Sequence, residues 1–476
     1  MTDLSSPKLA IAGSADEVAA PTDTVAATAG RPAAATDCAT RPPSLWSSRD
    51  YLAWWTGNTV SALGTSLSTF AYPLVVLFAT GSVTKAGEIG SANLIGMLVS
   101  MLWGGALADR VSRRAILIAG PLLQAVLLGG VATLVSLHRI DVPVLALAAL
   151  LSGIVAAVVL GPSMPALRRI VPRDQLPAAS AQAQARDMVV QLLGGPVGGF
   201  LFAIARALPF AADAVSYLFA AAGAALIRQP LGPDKTEHVA SSVSRDIADG
   251  FRFIRHQPFL RLVVIFGAVV NLTSTTYLLL LTALVKFRGG GPTEIGSLIA
   301  VAVAGQLAGT IAGPALLRKL GARQMLCLAL WCYTVSIPAV AVVPHLWQIA
   351  VILLLSSVSA GPMLIVVQSY STRMVPDKYT GRVSAVARFC IYALMWAGPL
   401  LAGGLAALFG IRGGMAALLV LALPLTIVVQ LSKATSVLRL PLKEVPEAAL
   451  PDRLRPADTA SAPSRQAEAA LPDGAK

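Results

Sequence analysis

Long apolar stretches, each interrupted by only a few polar residues, fill most of this chain between residues 51 and 432. A helix needs about 20 apolar residues to cross the hydrocarbon layer of a bilayer. Inside that layer the backbone must satisfy its own polar groups, which selects helices or closed barrels. The short alternating segments of a membrane barrel are absent, so the pattern predicts an all-α polytopic membrane protein. Twelve spans fit: 51–79, 87–108, 114–136, 143–170, 178–204, 208–227, 260–286, 293–317, 323–343, 347–374, 381–408 and 413–432.

The polar segments divide the chain. Residues 1–46 are rich in Ala, Thr, Pro and Asp and lack a signal-peptide core, which reads as a disordered cytoplasmic tail. Residues 47–228 and 260–432 each hold six spans and form two pseudo-symmetric bundles. The 229–259 segment links them, and 433–476 is a second disordered tail. Within the linker, Ile247, Phe251 and Ile254 recur at helical spacing beside Arg245, Arg252 and Arg255. That pattern suits a short amphipathic helix on the inner membrane face or a solvated linker helix, and both readings stay open.

Composition agrees with the pattern, with 55% hydrophobic and 13% charged residues. The net charge of +13 calls for no nucleic-acid partner, because the basic residues cluster on alternate loops. Arg110, Arg113 and Arg114 fall in one, Arg168, Arg169 and Arg173 in another, then Arg318, Lys319 and Arg323, then Arg373, Lys378 and Arg382. The intervening loops carry Lys85, Arg139, Arg206, Lys286, Arg288 and Arg412, mostly singly. By the positive-inside rule this asymmetry supports a cytoplasmic N-terminus, and with twelve spans both termini are expected inside; the cell membrane is the expected location. Cys327, Cys332 and Cys390 lie in apolar runs as packing residues, while Cys38 lies in the tail. The sequence lacks GxxxxGK[ST] and HExxH motifs, so neither nucleotide hydrolysis nor a zinc protease is supported. No cofactor or metal site and no enzymatic cluster is expected.

Two repeats connect the halves. RRIVPRD (168–174) echoes TRMVPDK (372–378), and GGALADRVSRR (104–114) echoes GPALLRKLGAR (313–323). The spans after the first pair carry GGPVGG (194–199) and AGPLLAGG (397–404). Gly195, Gly199, Gly398 and Gly403 are candidates for close helix approach, and Pro196 and Pro399 for bends. Duplicated helical halves are a transporter layout with the pathway between them.

GGALADRVSRR resembles the G-x-L-a-D-R-x-x-R-[RK] loop signature of the major facilitator superfamily, with Gly105, Leu107, Asp109, Arg110, Arg113 and Arg114 in place. PALRRIVPRDQLPAASA, YSTRMVPDKYTGRVSAVAR and FAADAVSYL resemble its siderophore and macrolide exporter branch. The resemblance covers residues 47–432. It implies the major facilitator fold and a conformational latch formed by Gly105, Asp109, Arg110, Arg113 and Arg114. It also implies secondary active export of a small amphipathic compound, driven by the proton gradient. The partners are then that solute, protons and the lipid bilayer, and the working unit is a monomer. An uptake permease and the membrane subunit of an ATP-driven pump are the alternatives. Related exporters often carry an acid after the SALG phrase of the first span, whereas this chain has Thr65 there.

Ionisable groups inside a bilayer face cavities or partners. Asp187 is the first candidate for proton coupling and Asp213 the second. A paired, purely structural carboxylate is the alternative for Asp187, and the family resemblance implies a structural role near the outer face as the alternative for Asp213. Adjacent residues on a helix point about 100° apart, so Arg186 and Asp187 need not pair. Asn58, Asn93, Arg186, Gln191, Asn271, Gln306, Gln368, Arg388 and Tyr392 are candidates for lining the pathway.

Overall fold

The protein is described by a computed structural model covering residues 45–110, 112–229 and 243–445, with the side chains of 102–110, 173, 243–246 and 377–378 outside that description. Thirteen α-helices run along these residues. The first six are α1 (Arg49–Thr80), α2 (Val83–Arg110), α3 (Arg113–Ser136), α4 (Val142–Ile170), α5 (Leu176–Ile204) and α6 (Leu208–Leu226). They are followed by α7 (Val243–His256), α8 (Pro258–Phe287), α9 (Pro292–Val342), α10 (Leu346–Val358), α11 (Ala360–Met374), α12 (Asp377–Tyr392) and α13 (Ala397–Leu431). There is no strand among the described residues. Nine segments are long and apolar enough to cross a membrane, which makes this a multi-pass helical membrane protein.

Two of those segments are far longer than one crossing. A straight helix with the 51 residues of α9 would extend about 75 Å, more than twice the hydrocarbon thickness. Yet Arg288, just before α9, donates to the carbonyls of Ala341 and Val343 at its far end, at 3.0 and 2.6 Å. The helix therefore doubles back, and it does so at Gly321 (φ 75°, ψ 161°). α13 behaves alike at Gly410 (φ 69°, ψ 174°), where a Cβ placed on Gly414 would lie 3.2 Å from the Leu405 backbone. Only glycine occupies this backbone region without strain.

Two of the expected continuous spans are interrupted. One divides at Ser359, between α10 and α11. The other divides at residues 393–396, between α12 and α13. The second break lies just before Pro399, because a proline ring clashes with the carbonyl four residues earlier, here that of Met395. Pro399 itself sits in the first turn of α13, where a missing N–H costs nothing, so the bend precedes the proline instead of centring on it. The exposed backbone finds partners on α8. Thr275 donates to the Met395 carbonyl at 3.3 Å, and Thr276 to that of Gly398 at 3.0 Å. Such repair is what a broken helix in a membrane requires.

Packing sorts the helices into two groups. α1 packs on α6, α2 on α4, and α3 on both α4 and α6. In the second group α9 packs on α10 and α11, and α13 on α8 and α9. α5 with α9, and α2 with α13, join the groups. The linker helix α7 rests on α12, with Phe253 and Ile254 buried and Phe253 stacked on Tyr379 at 6.2 Å. Its Ile247 and Phe251 remain about half exposed.

Replacing Gly321 by Ala forces a Cβ into a glycine-only conformation and should cost about 1–3 kcal/mol. A lowered thermal midpoint of the purified protein is expected, against no change for Gly161→Ala, where the added methyl meets open space.

Candidate functional site

The two groups meet through glycine. Along α5 and α9, a Cβ on Gly195 would lie 2.7 Å from the Gly296 carbonyl oxygen, and one on Gly199 would lie 2.4 Å from that of Pro292. Along α2 and α13, a Cβ on Gly87 would fall 2.2 Å from the Pro399 carbonyl oxygen, and one on Gly403 would fall 2.7 Å from the Thr84 Cα. Helices at this separation touch backbone to backbone, which any side chain would prevent. Gly398 instead abuts Thr275 and Leu272 of α8. The Thr84 hydroxyl donates to Gly403 across the second seam at 3.3 Å. Lys286, at the end of α8, donates to the Leu77 carbonyl of α1 and lies 5.2 Å above the Phe78 ring. The two seams and the Lys286 contact lie toward the end of the bundle opposite Arg49, the first residue of α1, while the Gly398 contact sits near the middle of α8.

Among the described residues, two sizeable cavities lie between the groups. One, of about 190 Å³, sits near the seams, lined mostly by apolar side chains with Tyr72, Asn93 and Thr275 among them. The other, of about 390 Å³, lies farther along α5 and α9 toward the Arg49 face. Gln191, Gln306 and Gln368 line it together, joined by Gln184 and Thr310. The remaining pathway candidates scatter. The Asn58 and Asn271 amides donate to their own helices, to Trp54 and Gly267. Asn93 ties α2 to the Ala149 carbonyl of α4 at 3.0 Å, and Tyr392 lines a small crevice beside Met97 and Met101.

The two candidate acids differ sharply. Asp213 of α6 is fully buried. Its carboxylate accepts from Ser68 of α1 and from Ser216, at 3.0 Å in the latter case. Beside it Tyr217 shares a 2.9 Å hydrogen bond with Thr65, the residue that stands where related exporters carry an acid. A Cβ on Gly64 would lie 2.5 Å from the Asp213 carboxylate and 2.1 Å from the Ser216 hydroxyl, so Gly64 vacates the space they fill. Ser61, Thr65, Ser68 and Tyr72 form a polar stripe at helical spacing along α1, which was the available signal for this cluster.

For Asp187 of α5 the sequence leaves pairing open. It does pair with its neighbour: Arg186 donates through Nε and Nη2 to one carboxylate oxygen, at 3.0 and 2.8 Å. The long arginine side chain folds back across the 100° between the two Cβ vectors, and its guanidinium lies 5.8 Å from the Trp54 ring. Nearly half of the Asp187 side chain is exposed. Arg388 is exposed on α12 and joins neither acid in an ion pair. For the loop cluster, α2 ends at Arg110 and α3 begins at Arg113. The side chains of Asp109 and Arg110, and the surroundings of Gly105, lie outside the described residues. Arg113 is half-buried, and Arg114 donates to the Ala225 carbonyl at the end of α6 at 2.9 Å.

A multi-pass helical bundle with two packed groups, glycine seams and cavities between them is the architecture of a membrane transporter. Comparison with known proteins makes this specific. Residues 46–458 match the model of the transmembrane secretion effectors, and the chain belongs to that family of the major facilitator superfamily. The multidrug efflux pump Tap of Mycolicibacterium fortuitum is 25% identical over 375 residues, which is 76% of this chain and 90% of that protein. Tap of Mycobacterium tuberculosis (strain ATCC 25618 / H37Rv) is 25% identical over 385 residues, 77% and 88% of the two chains. Among solved structures, a bacterial homologue of the lysosomal transporter Spinster, inward-facing and unoccupied, superposes with a TM-score of 0.66 at 15% identity, covering 86% of this chain and all of that one. An inward-facing bacterial homologue of the iron transporter ferroportin gives 0.60 at 17% identity, covering 82% and 100%. The family and its relatives are transporters, not enzymes.

Gly64→Ala should press a methyl group into the Asp213 cluster and separate α1 from α6. Lower folded yield and a reduced thermal midpoint are expected, while Gly130→Ala, with open space at its Cβ, should match the native protein in both.

Proposed function

We propose that this transporter exports a small amphipathic compound from the cytoplasm by proton-coupled alternating access, with both termini cytoplasmic and the plasma membrane as its site. The observation that carries this reading is the asymmetry of the contacts. The groups close on each other through glycine at one face, while the larger cavity lies toward the other. With α9 and α13 each doubled back, and α10–α11 and α12 with the first arm of α13 each counted as one crossing, the helices make twelve crossings. They fall in two six-helix bundles, 47–228 and 260–432. With cytoplasmic termini the seams lie outside and the state is inward-facing. Rocking the bundles would open the seams and expose the cavity to the exterior. The efflux role of the Tap relatives supports the outward direction.

In this reading Asp213 is the coupling group. Among the described residues it is the buried acid that ties two helices together through hydroxyls, so a change in its protonation alters the α1–α6 contact directly. Asp187 is already matched by Arg186 and serves to hold that arginine at the rim. One proton entering down ~100 mV supplies about 2.3 kcal/mol. At ~1.4 kcal/mol per decade, that sustains roughly a 40-fold outward gradient of a neutral solute. Asp109, with Arg110 and Arg113, acts as the latch that holds the alternate state.

Efflux measured in inverted vesicles should collapse on adding a protonophore at constant ATP. Asp213→Asn should abolish proton-driven transport yet keep energy-independent solute exchange, whereas Asp187→Asn should lower the rate only a few-fold. Proton-driven transport that survives Asp213→Asn with unchanged pH dependence would remove Asp213 from coupling. Asp109→Asn should slow turnover without reducing the amount of protein in the membrane.

A further inference from the structure

The larger cavity carries information about what it binds. Its polar lining consists of four carboxamides, Gln184 and Gln191 of α5, Gln306 of α9 and Gln368 of α11, with the Thr310 hydroxyl beside them. None of the four amides makes a hydrogen bond to the protein among the described residues, and three of the four residues are exposed. The Thr310 hydroxyl, by contrast, is committed to the Gln306 carbonyl of its own helix at 2.9 Å. An amide offers two N–H donors and an oxygen with two acceptor sites. Four open amides therefore read hydroxyls and carbonyls in either direction.

Among the described residues, no charged side chain lines this cavity. The Arg186–Asp187 pair, on the same helix, is internally neutralised. A cation in the chamber would meet amides but no counter-charge, so nothing there favours its charge over a neutral solute. An oxygen-rich neutral solute exchanges water for amides at little loss. Met188 and Leu364 supply the apolar contact that such a solute's carbon skeleton needs. At about 390 Å³ the cavity falls in the size range of small-molecule pockets.

We propose that the four-glutamine chamber is a binding site for uncharged amphipathic solutes rich in hydroxyl and carbonyl groups, and that it discriminates against lipophilic cations. This rests on the export reading above for its role in transport, but not for the binding itself.

The test is direct binding of radiolabelled probes to the purified full-length protein in nanodiscs. The neutral probes are chloramphenicol and thiamphenicol, and the cation is tetraphenylphosphonium. The neutral probes should bind, and the cation should not compete with them. Gln306→Leu and Gln368→Leu should each weaken neutral binding by about fivefold. Gln306→Glu should admit tetraphenylphosphonium. This gain of binding separates a specific role from a folding defect. Tighter binding of the cation than of both neutral probes overturns the inference, as does the failure of both neutral probes to bind. Unchanged neutral binding in the two leucine variants also overturns it. Binding as described without proton-driven efflux from inverted vesicles would instead leave the chamber intact and refute the export reading.

Discussion

The whole arrangement depends on two places where one helix backbone rests on another. Gly195 and Gly199 let α5 lie against α9, and Gly87 and Gly403 let α2 lie against α13. In lipid there is no hydrophobic effect to pull helices together, so close van der Waals contact and hydrogen bonds must do so. Such contact is strong only at short range. A seam of this kind is either fully made or lost, and it suits two discrete states better than a continuum. Lys286 adds a charge-assisted hydrogen bond to the Leu77 carbonyl at the same face.

The seams are linked to the interior through broken helices. The interruption at 393–396 places Met395 and Pro399 on the wall of the smaller cavity, and Pro399 also forms the α2–α13 contact. Thr275 touches the same cavity and repairs the break. A solute that displaces these groups would act on the seam within one or two residues. The Asp213 cluster lies on the other side of the smaller cavity, where Tyr72 is shared between the cavity wall and the Phe210 ring of α6, 5.0 Å away.

Much of this was legible in the chain. The apolar runs located the helices to within a few residues, since a bilayer imposes both length and composition. The glycine clusters at 194–199 and 397–404 pointed to close approach because no other residue permits it. Gln191, Gln306 and Gln368 stood out as polar groups in apolar spans. What the chain could not show was how the polar groups were partnered. The pairing of Arg186 with Asp187 depends on a side-chain rotamer, not on the 100° spacing of the helix positions. The Ser68–Asp213 tie joins residues 145 apart, and only the packing of α1 on α6 brings them together. The sequence splits α9 and α13 each into two expected spans, and the positive-φ glycines Gly321 and Gly410 fall in the gaps left at 318–322 and 409–412.

The central claim is that the glycine seams open and close during turnover. It is tested most directly by the distance between spin labels on Arg206→Cys and Thr293→Cys, both exposed at the seam face, in a cysteine-free background. Electron–electron double resonance should give a short distance at rest, and a second, longer population when a proton gradient and solute are supplied together. A single short distance that persists while the same labelled protein is transporting would contradict the account.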